Sequence, residues 1–154
     1  MHALDLKIPP PLVAVATGAV MWALSLLPPV IEVPTLIRVA VALAVATPGG
    51  LFPLAGGIGL RRAATTANPM KPQRASSLVT SGVFGITRNP MYVGLLFVIL
   101  AWAAFLCSLW ALLLGPAGFV LYMTHFQIRP EERALTELFG AQYTDYQRRV
   151  RRWL

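Results

Sequence analysis

Thr87 to Gly94 reads T-R-N-P-M-Y-V-G, and it stands where a polar, basic, proline-bearing segment gives way to a long apolar run. The eight residues spell a helix start. Asn89 is a residue type that caps free backbone N–H groups, and Pro90 suits the first helical position, where a missing N–H costs nothing. Arg88 sets a positive charge at the boundary between water and lipid. A helix beginning here turns its positive dipole end outward, which suits an anionic ligand group. The plainer reading of the same residues is a well-capped membrane helix.

Outward from that stretch, composition decides the class. Of 154 residues, 56% are hydrophobic and 12% charged, with mean hydropathy +0.65. Soluble domains carry about 25% charge. The low charge and the apolar runs of spanning length predict an all-α integral membrane protein forming one domain over 1–154. The net charge of +7 does not point to nucleic acid. Lys7, five basic residues within 61–88 and six after Gln127 flank the apolar runs, which makes them topology determinants. Cys107 is the single cysteine, so neither an internal disulfide nor a cysteine cluster is expected, and no metal site. The N-terminal apolar run continues past any plausible cleavage point and reads as a retained helix.

Four spans are expected, at about 11–27, 36–60, 90–107 and 109–128. Pro28-Pro29 stop the first, and Val30 to Pro34 connect it to the second. Pro48-Gly49-Gly50 and Pro53 interrupt the second span, either as a packing kink or as a break lining a cavity. From Met91 to Ile128 the chain is apolar for 38 residues, which exceeds one span. Cys107-Ser108 is the soft point for a hairpin, with Gly115-Pro116 as the rival. The polar segment 61–88, with its turn formers Asn68-Pro69, Lys71-Pro72 and Ser81-Gly82, is too long for an idle connection. An even number of spans and the basic clusters put both termini at the cytoplasmic face, in a cell inner membrane.

The tail, 129–154, is expected to begin a new helix at Pro130, with Glu131 and Glu132 in its first turn. Leu135, Leu138, Phe139, Tyr143, Tyr146 and Val150 recur at helical spacing, and Gly140 ends a first short helix. Arg148, Arg149, Arg151 and Arg152 beside Trp153 suit an amphipathic segment in the headgroup layer. That segment is either a membrane anchor or a lid over a bound ligand.

No nucleophile triad, phosphate-cradling glycine loop or metal-spaced cluster is present. The polar residues converge instead on one end of the hairpin: Arg88, Asn89 and Tyr92, then His125, Arg129, Glu131 and Glu132. Acids, bases and two helix termini there suit a zwitterionic ligand. The plainer alternatives are an interfacial aromatic role for His125 and helix capping for the two glutamates.

R-N-P-M-Y-V-G, an apolar hairpin, and E-E-R-A-L-T-E-L-F-G-A-Q-Y-T-D-Y-Q-R-R-V together resemble the isoprenylcysteine carboxyl methyltransferase family, whose plan the phospholipid N-methyltransferases share. The segment T-T-A-N-P-M-K-P at 65–72 resembles the loop before the motif in small bacterial-type members. The resemblance implies S-adenosylmethionine as cofactor and methyl transfer to a lipid-like or prenylated small acceptor, drawn from among membrane lipids. Carboxylate O-methylation is favoured over phospholipid amine N-methylation. It implies cofactor binding by Arg88, Asn89, Tyr92, Gly94, Glu131, Glu132, Tyr143 and Tyr146, to which the position of His125 adds a ninth, and catalytic roles for Tyr92, Glu132 and Arg149. Members acting on prenylated proteins carry His where this chain has Asn89, and Pro where it has Arg151. Asn89 does not titrate near neutral pH. A non-catalytic scaffold or transporter subunit is the rival from another class, and a reductase of similar helical plan would instead bind NADPH.

Overall fold

The computed structural model describes residues 5–29, 31–66, 68 and 70–154. Val30, Ala67 and Pro69, which fall in the expected connections and in the 65–72 segment, lie outside the described residues. The described residues form helices and no strands: α1 (Pro10–Leu24), α2 (Thr35–Arg62), α3 (Pro90–Leu106), α4 (Leu109–Tyr122), α5 (Arg129–Phe139) and α6 (Ala141–Arg149). Short 3₁₀ turns occupy Pro72–Arg74 and Gly82–Gly85.

Two helical rods are long and apolar enough to cross a membrane, Thr35–Arg62 and Leu109–Phe139. Only 11% and 22% of their most apolar windows are buried, so these faces meet the surroundings rather than a protein core. At about 1.5 Å per residue, the 15 residues of α1 and 17 of α3 fall short of a hydrocarbon layer of roughly 30 Å. The first helix ends at Leu24 rather than the expected 27, because Ser25 to Leu27 tighten into turns before Pro28-Pro29.

The hairpin forms at the softer of the two expected points. Cys107 takes a left-handed conformation at φ 49°, and the Ser108 Oγ accepts the Ala111 N–H at 3.4 Å, opening α4. Gly115 and Pro116 stay inside α4. At the same end of the hairpin, the Arg38 Nε donates to the Phe105 carbonyl at 2.6 Å, one of the carbonyls the end of α3 leaves without a helical partner.

α2 is unbroken through Pro48 and Pro53, against the expected interruption. Pro53 has no N–H for the Gly49 carbonyl four residues back. That carbonyl meets the backbone of Gly94 on α3, where an added Cβ would lie 2.8 Å from the oxygen and would also run into the Pro53 ring. The prolines and glycines therefore build the close α2–α3 contact. Gly94, expected at the cofactor, is a helix-packing residue.

The tail does not begin a new helix at Pro130. A π-helical turn, Met123–Ile128, joins α4 to α5, and the rod runs without a break to Phe139. Pro130 denies a hydrogen to the Phe126 carbonyl, and the wider turn lets Leu6 supply one, its N–H bonding that oxygen at 3.0 Å. Asp5 then pairs with Arg133 at 2.9 Å, which lays the N-terminal segment beside α5. Gly140, at φ 54°, ends α5 as expected.

Replacing Gly94 with Val should destabilise the protein in detergent by about 1–3 kcal/mol through overpacking, read as a lower melting temperature. Gly50→Ala is the control, because a Cβ at Gly50 meets nothing within 4 Å. Equal melting of both variants would contradict the Gly94 contact.

Candidate functional site

A cleft of about 110 Å³ lies at the end of the bundle where α3 begins. Leu60, Thr65, Asn68, Pro72 and Leu78 are among the residues of one wall, the start of α3 forms the floor, and α5 and α6 the other wall. The loop wall is tied at its own neck: Ser77 Oγ donates to the Ala63 carbonyl at 3.0 Å, and Ser76 N–H bonds Thr65 Oγ1 at 3.0 Å.

Of the residues expected here, Arg88, Asn89, Tyr92, Glu131, Glu132, Tyr143 and Tyr146 line the cleft. Gly94, His125 and Arg149 do not. His125 is exposed and its Nδ1 accepts from Arg129 Nη1 at 3.3 Å, on the outside of the π turn. Arg149 is exposed and its Nε reaches back to the Asp145 carbonyl at 3.3 Å. Residues two apart on a helix point about 200° apart, so His125 lies opposite Gln127, and on α6 Tyr143 and Tyr146 are the buried residues.

Asn89 stands at the cap position of α3 but makes no side-chain cap bond. Its Nδ2 donates to the Arg152 carbonyl at 2.8 Å instead. Thr87 Oγ1 donates to the same oxygen at 3.2 Å, and the Arg88 N–H bonds the Arg151 carbonyl at 3.0 Å. Tail carbonyls thus occupy much of the helix mouth that the sequence offered to an anion. The continuous α4–α5 rod removes the second helix terminus as well.

The two glutamates have different surroundings. Glu132 is held by two guanidiniums: Arg152 donates through Nε at 2.9 Å and Nη2 at 2.7 Å, and Arg88 Nη2 approaches at 3.1 Å. Those hydrogen bonds raise the Arg152 pKa above its ordinary value. Glu131 has no cation within salt-bridge reach among the described residues. Its Oε2 accepts the Tyr92 hydroxyl at 2.8 Å, and Gln127 Nε2 donates to that hydroxyl at 3.3 Å.

Arg88 is the side chain with spare capacity. It is 10% exposed, and both its Nε and its Nη1 are buried without a partner. Leaving such donors unpaired costs about 1–3 kcal/mol each, so these are the donors the cleft holds in reserve. Tyr143 and Tyr146, each 3% exposed, close the wall behind them. Burial pushes both phenols up, with the Glu132 charge adding to the rise at Tyr143, and brings Tyr146 to about 12. Both therefore remain protonated at neutral pH, and the Tyr146 hydroxyl donates to the Phe84 carbonyl at 2.6 Å.

Comparison with known proteins bears on this geometry. Residues 37–142 match the family model described as phospholipid methyltransferase. The chain belongs to the phospholipid methyltransferase family. Its members are methyltransferases that generally use S-adenosylmethionine. A 64-residue stretch is 44% identical to an uncharacterized protein of Haemophilus influenzae, covering 42% of this chain and all of that protein. No solved structure matches. The family match takes in the Arg88–Tyr92 floor and the Glu131–Glu132 pair, while Tyr143, Tyr146 and Arg152 lie beyond it.

The residues of this phospholipid methyltransferase family member fit the zwitterionic amino-acid end of S-adenosylmethionine. The unpaired N–H groups of Arg88 are of the kind that would hold a carboxylate, and the Glu131 oxygens of the kind that would accept from an ammonium or hydroxyl. Small-molecule sites enclose roughly 300–1,000 Å³, more than this cleft holds in the described conformation. Sequence reading missed Arg152 and Gln127. Gln127 lies four residues before Glu131, a spacing that places both on one helix face and could have signalled it. Arg152 carried no local signal.

Tyr146→Phe should remove the component of the alkaline tyrosinate titration near pH 12 and cost about 1 kcal/mol of stability. The folded pKa lies above the ordinary 10, so the contribution is whole below pH 10 and is lost as pH rises toward 12. A variant whose alkaline titration and melting match wild type would refute the Tyr146–Phe84 bond.

Proposed function

We propose that the protein transfers a methyl group from S-adenosylmethionine to a lipid-like or prenylated acceptor at the cytoplasmic surface of the membrane, methylating a carboxylate oxygen. The observation that carries this reading is the buried Arg88 side chain, whose Nε and Nη1 lack partners in a cleft shared with Glu131 and Tyr92. When bound, S-adenosylmethionine supplies a methyl group on a positively charged sulfur that is already a good leaving group. The chain has only to bind and orient. Arg88 receives the carboxylate of the donor, Glu131 and Tyr92 receive its ammonium or hydroxyls, and Tyr143 and Tyr146 exclude water from the far side. An acceptor carboxylate is ionised at neutral pH and needs no base. This accords with Asn89 being committed to the Arg152 carbonyl and His125 lying outside the cleft.

In this reading all four apolar helices lie in the membrane, with both termini cytoplasmic, and the acceptor arrives sideways from lipid. The exposed basic residues Lys7, Arg61, Arg62, Arg129 and Arg148 support the orientation, since each flanks the cleft end of a helix. One observation favours a second reading, the methylation of a lipid amine. Glu131 has no cationic partner in the cleft and can take a proton from an ammonium acceptor.

Isothermal titration of the detergent-solubilised protein with S-adenosylhomocysteine should show binding, weakened about 10- to 100-fold in Arg88→Ala by the loss of charged hydrogen bonds. No binding by wild type at millimolar ligand would overturn the proposal. Labelled methyl donor with total membranes then separates the acceptors: a carboxyl methyl ester releases volatile label in alkali, and an N-methyl group does not. Compared at saturating donor, because Glu131 also contacts the donor in this reading, Glu131→Gln should lose far more turnover on an amine than on a carboxylate.

Truncation after Phe139 should abolish S-adenosylhomocysteine binding while the protein still inserts, because α6 supplies Tyr143 and Tyr146 to the cleft. Full binding by the truncated chain would reduce the tail to an anchor.

A further inference from the structure

Four arginines crowd the end of the tail, and they do not share one role. Arg148, Arg149 and Arg151 are exposed. Arg152 turns inward because the chain leaves the helix at Val150, whose φ of −121° and ψ of 134° are those of an extended strand. The extended segment lies across the start of α3, and Trp153 fixes its end, packing on the hydrophobic core and donating from Nε1 to Thr124 Oγ1 at 3.2 Å.

Arg152 works through two separate groups. Its carbonyl accepts from Asn89 Nδ2 and Thr87 Oγ1, the residues on either side of Arg88. Its guanidinium takes Glu132 in two parallel hydrogen bonds, at 2.9 and 2.7 Å. Arg88 reaches that carboxylate only through Nη2, at 3.1 Å. Carboxylates prefer the parallel two-bond arrangement with a guanidinium. Two cations therefore compete for one carboxylate, and Arg152 holds the better geometry.

We propose that Arg152 is a positioning residue of the cleft: by occupying Glu132 it keeps the Nε and Nη1 of Arg88 free to receive an anionic group of the ligand. This rests on the donor reading above, in which that group is the carboxylate of the methyl donor. Without Arg152, Glu132 is left with Arg88 as its cation and draws the guanidinium into the two-bond pairing. The anion site is then filled by the protein's own carboxylate. Glu132 acts here through Arg88 and not on the ligand.

The test is titration with two ligands, S-adenosylhomocysteine and 5′-methylthioadenosine. The second shares the nucleoside but lacks the carboxylate and ammonium. Arg152→Ala should weaken S-adenosylhomocysteine binding about ten-fold or more, the scale of a lost charged hydrogen bond, and leave 5′-methylthioadenosine within about two-fold. Arg152→Lys keeps the charge and the carbonyl contacts but cannot form the parallel pair, so it should fall between wild type and Arg152→Ala. It also serves if the alanine variant does not fold. The double variant Arg152→Ala/Glu132→Gln should regain most of the lost affinity, since no carboxylate remains to capture Arg88. A merely structural role predicts equal loss for both ligands and no regain, and that result overturns the inference. Wild-type binding with indifferent Arg152 variants overturns it alone, whereas absence of binding to wild type overturns the donor reading and this inference with it.

Discussion

Glu132 between Arg88 and Arg152 is the contact through which the start of α3, the long α4–α5 rod and the last residues of the tail meet. Its side chain is 12% exposed, so the charges interact in a medium less polar than water, and each loses hydration on folding. Arg88 takes part through Nη2 alone and keeps two donors unpaired. Removing one member of such a buried group costs about 3–5 kcal/mol, more than the group gains over an apolar replacement.

The geometry around this group follows from two backbone decisions far from any charge. Pro130 removes an N–H from the rod, and the π turn with the Leu6 donor satisfies the carbonyl it leaves. The resulting rod carries Gln127 and Glu131 on the side of Tyr92, while His125, two residues from Gln127, faces outward. On the other side of the cleft, the contact of Gly49 and Pro53 with Gly94 presses α2 against α3. The loop leaving α2 at Arg62 is thereby brought over the residues it helps to enclose.

The glutamates adjacent in sequence are divided in function by these packings. Glu132 points toward the tail and is neutralised, and Glu131 points toward α3 and meets only a phenol and, through it, an amide. One carboxylate is paired with cations and the other accepts a neutral hydroxyl. Adjacent residues on a helix differ by about 100° in direction, which is enough to put them in different environments.

The sequence by itself determined the class and the place. Low charge, long apolar runs and the R-N-P and E-E motifs led to an all-helical methyltransferase-like chain, with the polar residues gathered at one end of a hairpin closing at Cys107-Ser108. Those features are local or compositional, so they survive without knowledge of the packing. Tertiary structure decided which of the gathered residues work together. Whether Pro130 opens a helix or sits within one depends on Leu6, more than a hundred residues away, supplying the missing hydrogen. Gly94 reads as a ligand-side glycine until α2 is seen against it. Arg149 and Arg152 are indistinguishable by residue type, and only the departure from helix at Val150 carries Arg152 onto Glu132 while Arg149 stays exposed at the end of α6. Each of these choices rests on a contact between distant segments, and residue types and local spacing do not carry that information.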